Sequence, residues 1–246
     1  QYNSYVTGGS IVAEVADKQY VYGCKGVYYL NALESVKYGT ALAIDKFTDG
    51  YLTYTYQNND NTVTRWTQSI GTDDAPVLAY DGLNGSDKVH KISFVYGNDV
   101  SAADYYGNED MTLEITAPNY PTAVTGAIRI NGWIYNKNIY KNSENIDVLC
   151  QDKDISIGLD TEIEFERDYD GKYKITSIRD WNELAALVNN ENTNVYTSGK
   201  DYILTEDINL NADTENNLAV IGNSEQCPLA SSFYGAGHII SGINIK

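Results

Sequence analysis

"SFYGAGHIISGINIK", residues 232–246, alternates apolar and polar side chains over a short run and carries Gly235, Gly237 and Gly242 at its corners. Glycine tolerates the positive φ that tight corners between successive strands demand, so the pattern fits a chain wound into coils. Upstream, "GKDYILTEDINL" at residues 199–210 alternates in the same way. Before it, "SIRDWNELAALVNN" at residues 177–190 changes to helical period. Ser177 is placed to cap a first turn, and Asp180 answers it three residues later. Asp180 and Glu183 also suit the positive N-terminal end of a helix. Ile178, Trp181, Leu184, Ala185 and Val188 share one stripe, which predicts a helix laid against a core. On such a stripe Trp181 packs; it does not offer a platform for a sugar. One coil cannot bury its own face, and about three stacked repeats are normally needed. The last strand is therefore expected to find a neighbour in further coils of a longer chain, in its own helix and sheets, or in a strand from another copy.

Toward the N-terminus, short alternating runs dominate. "GYLTYTYQ" from Gly50 puts Leu52, Tyr54 and Tyr56 on one side and Tyr51, Thr53 and Thr55 on the other, which predicts a strand. Further strands are expected at "SIVAEV" from Ser10, "QYVYG" from Gln19, "KISFVYG" from Lys91, "MTLEIT" from Met111, "GAIRINGWIYN" from Gly126, "DISIGL" from Asp154 and "TEIEFER" from Thr161. Gly, Asn and Asp clusters separate them, the spacing of an antiparallel sandwich or barrel. "LNALESVKYGTALAI" at residues 30–44 fits a short helix or two more strands. The turn around Asp168, Asp170 and Gly171 marks the change of pattern. The expectation is thus a mainly β chain, with an antiparallel sandwich-like domain over residues 1–166. A short α-helix capping the beginning of a right-handed β-helix follows over residues 167–246.

Seventeen basic residues against thirty-four acidic ones give a formal charge of -17. Such a surface repels nucleic-acid phosphates and anionic membranes, so nucleic acid is not an expected partner. No apolar run approaches a bilayer-spanning length, so no membrane insertion is expected. Cys24, Cys150 and Cys227 are an odd, widely spaced set that cannot close a disulfide framework. One pair could bridge; otherwise they are small buried hydrophobes.

The order of elements after residue 177 resembles the opening of the GLUG-type right-handed β-helix domains of bacterial cell-surface proteins. The residues that carry it are Tyr202, Leu204, Asp207, Ile208 and Leu210, then Ile221 and Gly222, then Phe233 through Gly237, His238, Ile240, Ser241, Gly242, Ile243 and Ile245. Tyr234 and Ile239 depart from the family's usual acidic residue and threonine. The first two-thirds are weakly similar to fimbrillin-like and adhesin β-sandwich modules, at the level of fold and composition. The resemblance implies a bacterial protein, extracellular or on the cell surface. Its implied work is adhesion to a glycan or a host or matrix protein, without catalysis. His238 is implied to be a turn or core residue. A pilin-like subunit assembling by strand addition to its own copies is the alternative, with His238, Ile240, Ile243 and Ile245 as docking positions. A fragment of a β-helix polysaccharide-active enzyme is the third.

No nucleophile elbow or helical metal-binding His pair is present, and His90 and His238 are the only histidines. Paired carboxylates suit glycoside cleavage, and Glu162, Glu164, Glu166, Asp168 and Asp170 are candidates, but in so acidic a chain proximity alone is unremarkable. The three glutamates fall on one strand face, expected to be solvated. Asp152, Asp154, Asp168 and Asp170 supply oxygens that a calcium ion favours, although ordinary Asp turns read the same way. No other cofactor is implied. Tyr105 and Tyr106 in "DYYGNED" are the expected binding residues of an exposed loop. Asn84 in "NGS" forms a glycosylation sequon, which in a bacterial protein is only a turn.

Overall fold

Residues 28–30, 40–59, 66–78, 88–121, 127–210 and 220–242 are described in the computed structural model of the protein. The expected strands at Ser10 and Gln19, most of residues 30–44, Cys24, Asn84, Ile243 and Ile245 lie outside them. The first elements are β1 (Tyr28–Leu30), β2 (Thr40–Leu42), α1 (Asp45–Thr48), α2 (Tyr51–Asn59), β3 (Trp66–Thr67) and β4 (Val77–Leu78). Longer strands follow: β5 (Val89–Tyr96), β6 (Val100–Asn108), β7 (Thr112–Thr116), β8 (Ile128–Tyr135), β9 (Asn138–Tyr140), β10 (Asn145–Leu149) and β11 (Ile155–Ile163). The chain ends with β12 (Tyr173–Ile175), α3 (Ile178–Val188), α4 (Asn194–Thr197), β13 (Asp201–Leu204), β14 (Ile208–Asn209), β15 (Ser232–Tyr234) and β16 (Ile240–Ser241). It is mainly β, as its short alternating runs and turn clusters lead one to expect. Two units divide the chain. One comprises residues 1–92, 105–114 and 147–155; the other comprises residues 93–104, 115–146 and 156–246.

In the first unit, residues 51–59 form a helix, which corrects the strand read from "GYLTYTYQ". The reason is tertiary and polar. Asp49 Oδ1 accepts the Tyr51 amide at 2.8 Å, and Gly50, at φ +91°, supplies the carbonyl for the Tyr54 amide at 2.9 Å. Leu52 and Thr53 are buried, and the Thr53 hydroxyl donates to Gln68 Oε1 at 2.7 Å. Gln68, itself fully buried, donates to the carbonyls of Phe47 (2.8 Å), Thr48 (3.2 Å) and Asp73 (3.2 Å). This satisfied network overrides the strand preference of Tyr and Thr, whose alternation carries little hydrophobic contrast. Thr55 and Asn58 then bond back to the carbonyls of Tyr51 and Tyr54, each at 2.8 Å.

The longer strands form a five-stranded sheet of order β6-β5-β11-β8-β9. Phe94 and Trp133 are both fully buried and meet edge to face at 5.1 Å, with the indole N–H donating to the Pro118 carbonyl at 2.9 Å. "DISIGL" and the start of "TEIEFER" belong to one strand, β11, antiparallel to β8, with an irregularity between Asp160 and Thr161. That bulge shifts the register without ending the strand. Past Ile163 the alternation persists: Ile163 and Phe165 are buried, while Glu162, Glu164 and Glu166 are exposed, as expected.

The second unit continues into parallel pairing. β12, β13 and β15 form one parallel sheet, in which Tyr173 faces Tyr202 and Tyr202 faces Phe233. β14 and β16 pair in parallel, Ile208 facing Ile240. Between β12 and β13 lies α3, the helix read from the sequence. Ser177 Oγ accepts the Asp180 amide at 3.2 Å, and the Asp180 carboxylate reaches back to the Thr176 amide (2.9 Å) and hydroxyl (2.6 Å). Leu184, Ala185, Leu187 and Val188 are buried, and Ile178 and Trp181 pack at the margin of the same core. Trp181 meets Phe233 edge to face at 5.9 Å, so it is a packing residue. Asn189 closes the helix and accepts the amides of Gly222 (2.9 Å) and Asn223 (3.1 Å), which ties the following segment to it. The turn between β5 and β6 also seats here. The Gly97 amide donates to the Tyr196 hydroxyl at 2.8 Å, and at φ +58° a Cβ on Gly97 would strike the Asn192 carbonyl.

Candidate functional site

The centre of the parallel stack is aromatic and closed. Tyr202 is fully buried, 5.7 Å from the Tyr173 ring and 6.5 Å from Phe165. Among the described residues its hydroxyl has no hydrogen-bond partner; burial, then the neighbouring Tyr173 phenol, pushes its pKa far above the ordinary phenol range. A neutral phenol held there is a packing group. Tyr173 is better served, since the Arg167 guanidinium lies 4.5 Å from its ring centroid and donates to its hydroxyl at 2.6 Å.

At the other pair of strands, Asp207 clasps the turn before β16. Its Oδ1 accepts the Ile239 amide at 2.9 Å and lies 3.3 Å from His238 Nδ1, while the Ile208 amide donates to the Ile239 carbonyl at 2.9 Å. The Ile239 amide first, then His238, lowers the Asp207 carboxyl below its usual range. His238 is half-buried and also caps its own turn, its amide donating to the Gly235 carbonyl at 2.8 Å. Ile240 is half-buried on β16 opposite Ile208.

A cleft of about 340 Å³ opens between the segment after β11 and the first turns of α3. Phe165 and Ala127 give it an apolar wall, and Glu164, Glu166, Lys174, Arg179, Asp180 and Glu183 give it charge. These charges are matched locally. Arg129 bridges Glu162 and Glu164, Lys174 sits 3.6 Å from Glu166, and Arg179 lies 3.0 Å from Glu183. Opposing desolvation, the bonds from Thr176 and Ser177 hold the Asp180 carboxyl below its ordinary pKa. Lys174 and Arg179, which line the cleft, are not among the candidate residues that the sequence offers. The alternation of "KYKI" already placed Lys172 and Lys174 on the face opposite Tyr173 and Ile175.

The calcium candidates are divided between the two units and bonded to protein groups. Asp154 accepts the Tyr54 hydroxyl at 2.5 Å and the Lys91 amide at 2.9 Å, and Asp152 lies 3.5 Å from His90. Asp168 Oδ1 accepts the amides of Asp170 (2.9 Å) and Lys172 (2.8 Å), and Asp170 pairs with the Lys172 ammonium at 2.8 Å. Among the described residues no group of three or more His, Cys, Asp or Glu side chains is arranged to hold a metal ion. Tyr105 and Tyr106 lie on strand β6, with Tyr105 half-buried and Tyr106 buried. The Tyr106 ring lies 5.9 Å from Tyr51 and 5.5 Å from Tyr54. It is a core contact of α2. Cys150 and Cys227 are both buried and free.

No family model matches the chain, and neither a curated protein nor a solved structure matches it. No helix among the described residues is long and apolar enough to cross a membrane.

Proposed function

We propose that the chain is a non-enzymatic bacterial protein of the cell surface or extracellular space that binds a glycan or a host or matrix protein. In this reading residues 1–166 are a sandwich-like module and residues 167–246 begin a helix-capped, right-handed β-helix. One observation carries it: the in-register parallel stacking of Tyr173, Tyr202 and Phe233, repeated one strand later by Ile208 and Ile240. It falls on the segment whose sequence resembles GLUG-type coils. The hand follows from the general preference of parallel crossovers. Stacked short strands give a regular, rigid surface on which contact residues can be displayed. The matched carboxylates of the cleft support binding over acid–base chemistry, because Glu164 and Glu166 already face cations.

The test is a saturable-binding screen on glycan and matrix-protein arrays, run beside a polysaccharide turnover panel. Binding without turnover is expected. Turnover that disappears in Glu164→Gln/Glu166→Gln would establish the enzyme reading in its place. The filament-subunit reading is favoured by a separate feature: among the described residues β15 has one strand partner, β13, which leaves an edge suited to strand addition. Light scattering over a hundredfold range of concentration separates the two, since growth of the particle mass supports the filament and a constant monomer mass rejects it.

A further inference from the structure

Tyr169 is 96 % exposed, the most open of the large apolar side chains on the described surface. A phenol that buries almost nothing adds little to folding, and its backbone is nonetheless tightly fixed. Asp168 Oδ1 holds the amides of Asp170 and Lys172, the Asp168 amide donates to the Lys172 carbonyl at 2.9 Å, and Gly171 turns the chain at φ +84°. The support beneath Tyr169 is therefore organised in advance, and contact with a ligand freezes only the two side-chain torsions of the tyrosine.

The turn has a second aromatic beside it. The Lys172 ammonium bonds to Asp170 Oδ2 at 2.8 Å and lies 5.4 Å from the Tyr234 ring centroid. Tyr169 directly precedes Asp170 in the same turn. Tyr234, on β15, is 43 % exposed. Two open phenol rings thus accompany one ammonium–carboxylate pair. The rings offer apolar faces to the C–H face of a pyranose, and Lys172 and Asp170 offer a donor and an acceptor to its hydroxyls.

We propose that the turn bearing Tyr169, together with Tyr234, is a binding site for neutral glycans. The proposal rests on the binding function above and names its ligand class and place. Charge decides for a neutral sugar: two carboxylates face one ammonium here, in a chain of net charge -17, so an acidic sugar is repelled. Size decides against a protein partner, because a stable protein interface takes about 800 Å² per side and two tyrosines supply far less.

The experiment uses the full chain on an array of glucose-, galactose- and mannose-terminated neutral oligosaccharides, with calorimetry on each hit. Tyr169→Ala is expected to weaken binding about tenfold or more and Tyr234→Ala to weaken it less, while Tyr169→Phe stays within about threefold. Because Tyr169 lies in solvent, the melting temperature of Tyr169→Ala is expected to match the parent, so lost binding is not lost fold. A neutral glycan bound equally well by Tyr169→Ala overturns this site and leaves the binding function standing. A blank glycan array with a bound matrix protein also overturns the site and keeps the broader reading. No binding to either overturns both.

Discussion

Helices α2 and α3 have similar lengths, nine and eleven residues, and are held in opposite ways. α3 carries its own start signal and buries four apolar side chains, Leu184, Ala185 and Val188 of the stripe and Leu187 beside it. α2 buries Leu52 and Thr53 and hangs on Gln68, a residue outside the helix whose fully buried amide bonds three carbonyls and a hydroxyl. Apolar area tolerates small losses gradually. A buried polar network fails as a unit, since removing one member leaves its partners unsatisfied. The contrast predicts a hydrophobic, self-specified helix in one unit and a context-specified helix in the other.

The largest break is expected at the apolar stripe: Leu184→Ala opens a cavity and should cost about 3 kcal/mol in denaturant unfolding. Gln68→Ala should cost about 2 kcal/mol, because the Thr53 hydroxyl and three carbonyls lose their partner. Its signature is local. Hydrogen exchange should accelerate across residues 51–58 while α3 keeps the parent's protection, and equal acceleration in both helices would sink the distinction. Ser177→Ala removes one cap and should cost about 1 kcal/mol, with fraying confined to the first turn of α3.

The smallest expected effect is on acid dependence, and it belongs to the segment from β12 to β16. The hydrogen bonds to Asp180 and Asp207 hold both carboxyls below their ordinary pKa in the folded chain. A depressed carboxyl contributes stability that is fully present above the unfolded pKa and is lost as pH falls through the folded one. The melting temperature should therefore hold down to about pH 5 and drop below about pH 4. Asp180→Asn and Asp207→Asn should each flatten that drop. A drop of unchanged steepness in both variants assigns it to other carboxylates.

The same contrast explains what was legible in the sequence. α3 was readable because Ser177, Asp180 and the stripe through Val188 lie within twelve residues and act locally. α2 was not, because "YLTYTYQ" alternates residues of similar polarity, and the arbiter, Gln68, comes sixteen residues after Leu52. Strands β5, β7 and β8 form at the runs that read as strands, although only β7 buries alternate residues. β11 read as two strands because Gly158 and Asp160 are turn-type residues, whereas the residue skipped in the pairing, Asn131, lies on the partner strand β8. Among candidate site residues, the exposure of Glu162, Glu164 and Glu166 was visible in their alternation with Ile163 and Phe165. The burial of Tyr106 was not visible, because its cover comes from Tyr51 and Tyr54, about fifty residues away. Tyr169 was hidden inside a turn motif valued only for its aspartates.

The central claim is that the segment from β12 to β16 stacks in parallel register, and disulfide trapping tests it most directly. With Cys24, Cys150 and Cys227 replaced by Ala, the pair Asp201→Cys/Ser232→Cys occupies directly facing exposed positions on β13 and β15. Neighbouring strands lie about 4.8 Å apart, inside the Cα range that a disulfide spans. The account predicts rapid, near-complete bridging of this pair under mild oxidation and little bridging of Asp201→Cys/Tyr234→Cys, which is displaced by two residues. Equal yields, or a higher yield for the displaced pair, would contradict the parallel register and the binding surface built on it.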